Sequence, residues 1–328
     1  MQRVILPLLA ILALALAACR PASTRPDDSS APAQTGPLAV VATTGMIADV
    51  ARELAGEHAQ VIALMGEGVD PHLYKPTRSD IDRVMRADLV LYNGLLLEGK
   101  MTDAFVRAAT SGRRVVAVTE RIDESFLLEP ESFEGHFDPH VWMDPQAWSR
   151  AVEAIRDELI ALDPAHASDY TSNATRYLAK LAELDAYAQR VLATVPPDRR
   201  VLVTAHDAFN YFGRRYNFVV VGIQGLSTES EAGVRDIERL VDVLAIRRIP
   251  AVFVESSVSD RNIKALIDGA RAVDHTVTIG GQLFSDAMGA PGTYEGTYLG
   301  MLDHNVTTIA RALGGDAPPR GMNGQLAE

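Results

Sequence analysis

The stretch Leu38–Ala55, LAVVATTGMIADVARELA, decides the fold. Leu38 to Thr43 is a short apolar run rich in β-branched residues. Gly45 interrupts it, and Met46 to Ala55 then places apolar residues at helical spacing. This reads as a strand feeding a helix. The same alternation continues through strands at Val61–Met65, Leu89–Tyr92 and Arg114–Val118, with helices at Ser79–Met85 and Met101–Ala109. Several of these strands are apolar throughout, as expected of a parallel sheet covered on both faces. After two helical runs, Gln146–Leu162 and Ala167–Val195, the alternation restarts. Strands are expected at Arg200–Thr204, Phe218–Val221, Ala251–Val254 and Thr276–Ile279. Helices are expected at Asp207–Tyr216, Ser230–Arg247, Ser259–Ala272 and Thr297–Leu313.

The Ala167 helix carries an apolar stripe at Leu178, Leu181, Leu184, Tyr187, Val191 and Leu192. At 1.5 Å per residue it spans about 40 Å, longer than an ordinary crossover helix. Pro196 and Pro197 stop it. The predicted class is therefore α/β, with two similar lobes, each built on a mostly parallel sheet, joined by one long helix. The expected ranges are 38–165 for the first lobe, 166–197 for the linking helix and 198–314 for the second lobe. Residues 315–328 are expected to form a frayed polar tail.

The chain of 328 residues begins with a basic residue, Arg3, and an apolar run from Val4 to Ala18. The run is too short for a comfortable membrane span and reads as a signal peptide, residues 1–18. Leu16-Ala17-Ala18-Cys19 resembles a bacterial lipobox, which implies cleavage before Cys19 and lipidation of its thiol. Residues 19–37, rich in Pro, Ser, Thr, Ala and Asp, then read as a flexible tether. An exported protein anchored to the cell membrane follows, facing the periplasm or the cell exterior. Cys19 is the sole cysteine, so the mature domain has no internal disulfide and relies on its core. The formal net charge of −12, with no basic stripe, argues against nucleic acid as a partner.

Eight histidines are present, and two of them repeat one tripeptide: Asp70-Pro71-His72 and Asp138-Pro139-His140. A third, His206, follows the Arg200 strand. All three fall at element ends on the expected loop side, where open α/β sheets bind ligands. Neutral imidazole suits zinc, manganese or iron, and each ring needs an outer acceptor on its second nitrogen. Asp70 and Asp138 are candidates for that positioning role, and Pro71 and Pro139 stiffen the loops. Three histidines leave a shell incomplete. Asp286, in GGQLFSDAMG, is a candidate fourth ligand, with Glu255 and Asp260 as alternatives. His136 is a weaker candidate for an extra ligand, and His58, His166, His275 and His304 read as surface or packing residues. No HExxH motif and no nucleophile elbow is present, so an enzyme is not expected.

The segments GVDPHLYKPTRSD, DPHVWMDP, VLVTAHDAFNYF, GLSTESEAG, VFVESSVSDRNI, GGQLFSDAMG and GTYEGTYLGMLDHN together resemble the cluster A-I solute-binding proteins of metal-ion ABC transporters, the TroA-like group. The resemblance runs from about Leu38 to Leu313. It implies two α/β lobes on a rigid long helix, with a metal in the cleft between them. It implies His72, His140, His206 and Asp286 as ligands, which selects Asp286 over Glu255. It also implies delivery of Zn²⁺, Mn²⁺ or Fe²⁺ to a membrane permease by a monomeric protein. Manganese-specific relatives resemble one another in placing glutamate where His206 stands, and three nitrogens favour zinc by simple affinity. The zinc binders' long histidine-rich loop is missing, since Glu120–Gly135 holds no histidine run. The expectation is zinc binding with manganese also accepted. A surface adhesin and a zinc hydrolase are the alternative readings.

Overall fold

A computed structural model describes residues 36–130, 133 and 135–327. The expected signal peptide, the Cys19 anchor and nearly all of the tether lie outside the described residues. Among the described residues no helix is long and apolar enough to cross a membrane.

The first half contains β1 (Leu38–Ala42), α1 (Gly45–Ala55), β2 (Ala59–Ala63), α2 (Arg78–Arg86), β3 (Leu89–Tyr92), α3 (Thr102–Thr110) and β4 (Arg114–Ala117). The four strands form one parallel sheet in the order β2-β1-β3-β4. Then come α4 (Pro145–Leu162) and the 26-residue α5 (Ala167–Leu192). The second half contains β5 (Val201–His206), α6 (Asn210–Tyr216), β6 (Val219–Gln224), α7 (Val234–Arg247), β7 (Ala251–Glu255), α8 (Arg261–Ala272), β8 (Thr278–Leu283) and α9 (Tyr298–Ala312). Its strands make two parallel pairs, β5-β6 and β7-β8, with β5 packed beside β7. The spatial order β6-β5-β7-β8 thus repeats that of the first half.

The apolar strands are explained by which face each residue serves. Leu89 and Leu91 of β3 join the largest core, whereas Val90 between them joins a second core with α2 and α3. Likewise Ala251 and Phe253 of β7 face the largest core, and Val252 faces a third core under α7 and α8. The largest core draws on both halves and on α1, α4, α5 and α9. The long helix is therefore packed along its length rather than standing free between lobes. Trp148 of α4 stacks on Tyr298 of α9 at 5.6 Å within it.

Helix ends follow from local chemistry. Thr77 and Asp80 form a reciprocal capping box on α2. Asp144 accepts from the Gln146 amide at 2.8 Å, with Pro145 opening α4. The expected start of α7 at Ser230 moves to Val234, because Gly233 is the cap and donates its amide to Asp236.

Two further expectations are corrected. The strand expected to end at Ile279 continues as β8 through the glycine pair to Leu283. A Cβ at Gly280 would lie 2.8 Å from the Phe253 ring, and one at Gly281 2.5 Å from Thr308. The glycines let the sheet approach α9 and do not end the strand. The tail beyond Gly314 is not frayed. Met322 donates its amide to Asp303 at 2.9 Å, Ala327 donates to Glu295 at 2.7 Å, and Leu326 is buried. Two buried carboxylates on and before α9 hold the tail's backbone, a tertiary effect that composition does not reveal.

Candidate metal centre

The two Asp-Pro-His tripeptides share one hydrogen bond. Asp70 Oδ1 accepts from the His72 amide at 2.8 Å, and Asp138 Oδ1 accepts from the His140 amide at 2.9 Å. Each aspartate bonds the backbone two residues on, a typical Asx arrangement. Asn93, at the end of β3, donates to the Pro139 carbonyl at 3.0 Å and fixes the second turn to the first sheet. His206 is the last residue of β5. Asp286 lies three residues beyond β8, in a loop held by Trp142 Nε1 donating to the Ser285 carbonyl at 2.8 Å.

These elements bring four side chains together. One donor atom from each of His72, His140, His206 and Asp286 lies within 4.8 Å of all the others. His72 Nε2 is 3.3 Å from His140 Nε2, and His206 Nε2 is 3.2 Å from Asp286 Oδ2. Asp286 also lies 3.5 Å from His140 Nε2 through Oδ1 and 3.8 Å from His72 Nε2 through Oδ2. Donors on a tetrahedron with metal–nitrogen bonds of 2.0–2.1 Å stand about 3.3 Å apart. The four spacings, 3.2 to 3.8 Å, lie at or somewhat above those edges. Both Asp286 oxygens face the centre, so a fifth donor is at hand for a larger shell.

The decisive detail is what these atoms lack. His206 Nε2 and both Asp286 oxygens are buried without a partner in hydrogen-bonding geometry. Buried polar groups are ordinarily satisfied, and an orphaned carboxylate costs more than a neutral group. A divalent cation at the centre would satisfy all three atoms at once.

Behind the donors, Asp138 Oδ1 lies 2.7 Å from His140 Nδ1, and Glu255 Oε2 lies 2.5 Å from His206 Nδ1. Each carboxylate turns Nε2 of its ring inward. Glu255, an alternative ligand in the sequence, is thus an outer partner of His206. Its other oxygen accepts the His206 amide at 2.8 Å. The strand order explains this: β5 and β7 are neighbours, so their last residues meet. Asp70 does not hold a ring. Its second oxygen accepts from Thr228, in the loop before α7, at 2.5 Å. Asp260 lies outside the centre, paired with Lys264 at 2.6 Å. His136 packs against Phe133 and is not among the four clustered donors. His58 pairs with Asp169 at 2.9 Å, and His166 with Asp163 at 2.6 Å.

Burial lowers His72 to about 4, so its ring is neutral at pH 7. Burial also opposes charge on His206, but Glu255 foremost, then Asp286, holds that ring well above its ordinary value. Asp286 shows the converse. Burial pushes it up, yet His206 above all, with His140 and His72, keeps it below the usual carboxylate range.

An α/β protein with two-lobed sheets and a buried three-histidine, one-carboxylate cluster belongs to a recognisable class. Residues 40–312 match the family described as "ZnuA: Zinc-uptake complex component A periplasmic", and the chain belongs to that family. Among individual relatives, it is 49% identical over 286 residues to the manganese-binding lipoprotein MntA of Bacillus subtilis, covering 87% of this chain and 93% of that protein. It is also 49% identical over 281 residues to the zinc-binding protein TroA of Treponema pallidum, covering 86% and 90%. The solved structure of that periplasmic TroA superposes with a TM-score of 0.83, at 48% identity over 85% of this chain and 99% of that one.

Proposed function

We propose that this protein is the extracytoplasmic substrate-binding component of a metal-import ABC transporter. Its cargo is Zn²⁺ or Mn²⁺, held by His72, His140, His206 and Asp286. The convergence of three unpartnered buried donor atoms on one point carries the reading. The first half, 38–165, supplies two histidines, and the second, 198–314, supplies His206 and Asp286. A bound ion therefore ties the halves together and stabilises the joined form by mass action. Handover to a permease follows from the family. Anchoring through Cys19, exposure at the periplasm or cell exterior, and a monomeric state complete the proposal.

Two observations support both metals. Three imidazole nitrogens and one carboxylate favour zinc by affinity order. The second Asp286 oxygen offers the larger shell that manganese accepts. The two relatives at 49% identity carry one metal each in their names, zinc for one and manganese for the other. A binding role fits better than hydrolysis, because four protein donors fill a tetrahedral shell and leave no water position.

The test is calorimetric titration of stripped protein with Zn²⁺, Mn²⁺ and Fe²⁺, beside a His206→Glu variant. One ion bound per chain, with zinc weakened by the variant, is the expected result. Absence of stoichiometric metal would overturn the proposal.

A further inference from the structure

The four donors are not equally accessible. His140 and His206 are 0% exposed and Asp286 2%, whereas His72 retains 6%. That residue of exposure opens into a cavity of about 290 Å³ lined by His72, Leu95, Leu96, His136, Leu226 and Glu229, among others. Neighbouring cavities beside Asp70, along α3 and under the tail touch none of the four donors. The vestibule has one wall from each half. Leu95, Leu96, Leu97, Gly99 and Pro139 come from the first, and Leu226, Ser227 and Glu229 from the loop before α7.

Two contacts tie the segments beside these walls, and of their four residues Glu229 lines the vestibule itself. Lys100 pairs with Glu229 at 2.9 Å, and Thr228 donates to Asp70 at 2.5 Å. Both join the loop before α7 to the first half. The rim opposite is strained. Leu95 and Leu96 are consecutive non-glycine residues with φ of 52° and 66°, and Leu96 is 57% exposed. Left-handed backbone at two adjacent leucines costs energy and persists only where its surroundings impose it. Buried Glu98 fastens the chain on both sides of the pair, accepting from the Asn93 amide at 2.7 Å, the Gly94 amide at 3.2 Å and Thr43 Oγ1 at 2.7 Å.

Resting on the metal-binding reading above, we propose that this vestibule is the route by which the metal enters and leaves. His72 is the ligand met first and released last, and the Lys100–Glu229 pair is a bar across the mouth that sets the exchange rate. The strained leucine rim is a preformed wall of the passage. A route residue outside the donor shell changes the barrier for entry and exit together. An effect on the passage alone therefore alters both rates by the same factor and leaves Kd unchanged; loss of the Lys100–Glu229 pair as a link between the halves adds no more than about fivefold, and to release only.

The experiment is stopped-flow uptake of Zn²⁺ and its chelator-driven release, on the full chain. Lys100→Met opens the bar. An exposed ion pair contributes little, so both rates should rise about two- to fivefold. Ser227→Trp fills the vestibule, and both rates should fall at least about tenfold by excluded volume. Arg86→Gln, which removes a remote exposed pair with Asp82, should change neither. Unchanged rates in both vestibule variants would overturn the route, as would a change confined to release with a matching change in Kd. Failure of the unmodified protein to take up one zinc per chain would instead overturn the reading beneath it.

Discussion

The two Asp-Pro-His tripeptides are identical in sequence and share the bond from aspartate to histidine amide, yet their aspartates do different work. Asp138 uses one oxygen for both the His140 amide and the His140 ring, while its other oxygen accepts from Asn210 at 3.1 Å. Asp70 uses one oxygen for the His72 amide and gives the other to Thr228 in the opposite half. One aspartate orients the ring of a clustered histidine, and the other ties the halves together. His140 is sealed and held at both ring nitrogens, whereas His72 faces the vestibule and has no carboxylate on its second nitrogen among the described ion pairs. A repeated motif fixes a turn, and the neighbours of that turn decide its use.

The largest effect should come from the ligands themselves. His140→Ala should weaken zinc binding more than about 100-fold, beyond the 10–100-fold expected from losing an outer partner. His72→Ala should cost less than His140→Ala, because water can reach that position and replace the ring. Calorimetric titration of both variants checks this. Equal losses would mean that the difference in burial has no energetic consequence.

Next come the outer carboxylates. Asp138→Asn and Glu255→Gln should each weaken zinc by about 10–100-fold while keeping one ion per chain. An amide keeps a hydrogen bond but removes the charge that favours inward-facing Nε2. If either variant binds as tightly as the unmodified protein, the corresponding ring is positioned by packing alone.

How much of this was legible beforehand follows from the same residues. The strand and helix alternation was readable because β1, β3, β5 and β7 each face two cores, which writes an unbroken apolar run. Two of the clustered histidines are readable as candidates because turns with Asp and Pro are local. Glu255 is not legible as the outer partner of His206, because the two lie 49 residues apart across a strand junction. Knowing that β5 adjoins β7 would have paired their ends. The Thr228 contact spans 158 residues and belongs to tertiary packing, as do the ordered tail and the passage of β8 through Gly280 and Gly281. Asp286 was selected by family resemblance, and spacing left it level with Glu255.

The pH dependence separates His206 from His72. Glu255 and Asp286 hold the His206 ring well above its ordinary value, so in the metal-free protein it carries a proton at pH 7. Metal must displace that proton. His72, lowered to about 4, has none to lose above that pH. Zinc uptake at pH 7 should therefore release about one proton per ion from His206, and affinity should fall about tenfold per unit as pH drops. The fall sets in at a higher pH than an unperturbed histidine would give. Titration in buffers of different ionisation enthalpy counts the proton. Glu255→Gln should reduce the count, since the charge raising His206 is gone. A count of zero in the unmodified protein would mean that His206 is neutral before metal arrives.

The smallest effect should be that of the other aspartate. Asp70→Asn leaves the His72 ring without any lost contact, because Asp70 does not touch it. What changes is the link to Thr228, a hydrogen bond worth about 1 kcal/mol, or about fivefold in affinity if it forms only when the halves are joined. Thr228→Val should produce a similar loss from the other side. The double variant should then be no weaker than either single one, since both remove the same contact. Additive losses would show that Asp70 and Thr228 act separately. A loss for Asp70→Asn as large as that for Asp138→Asn would show that the two tripeptides share one role, and that the difference between their aspartates does not govern metal affinity.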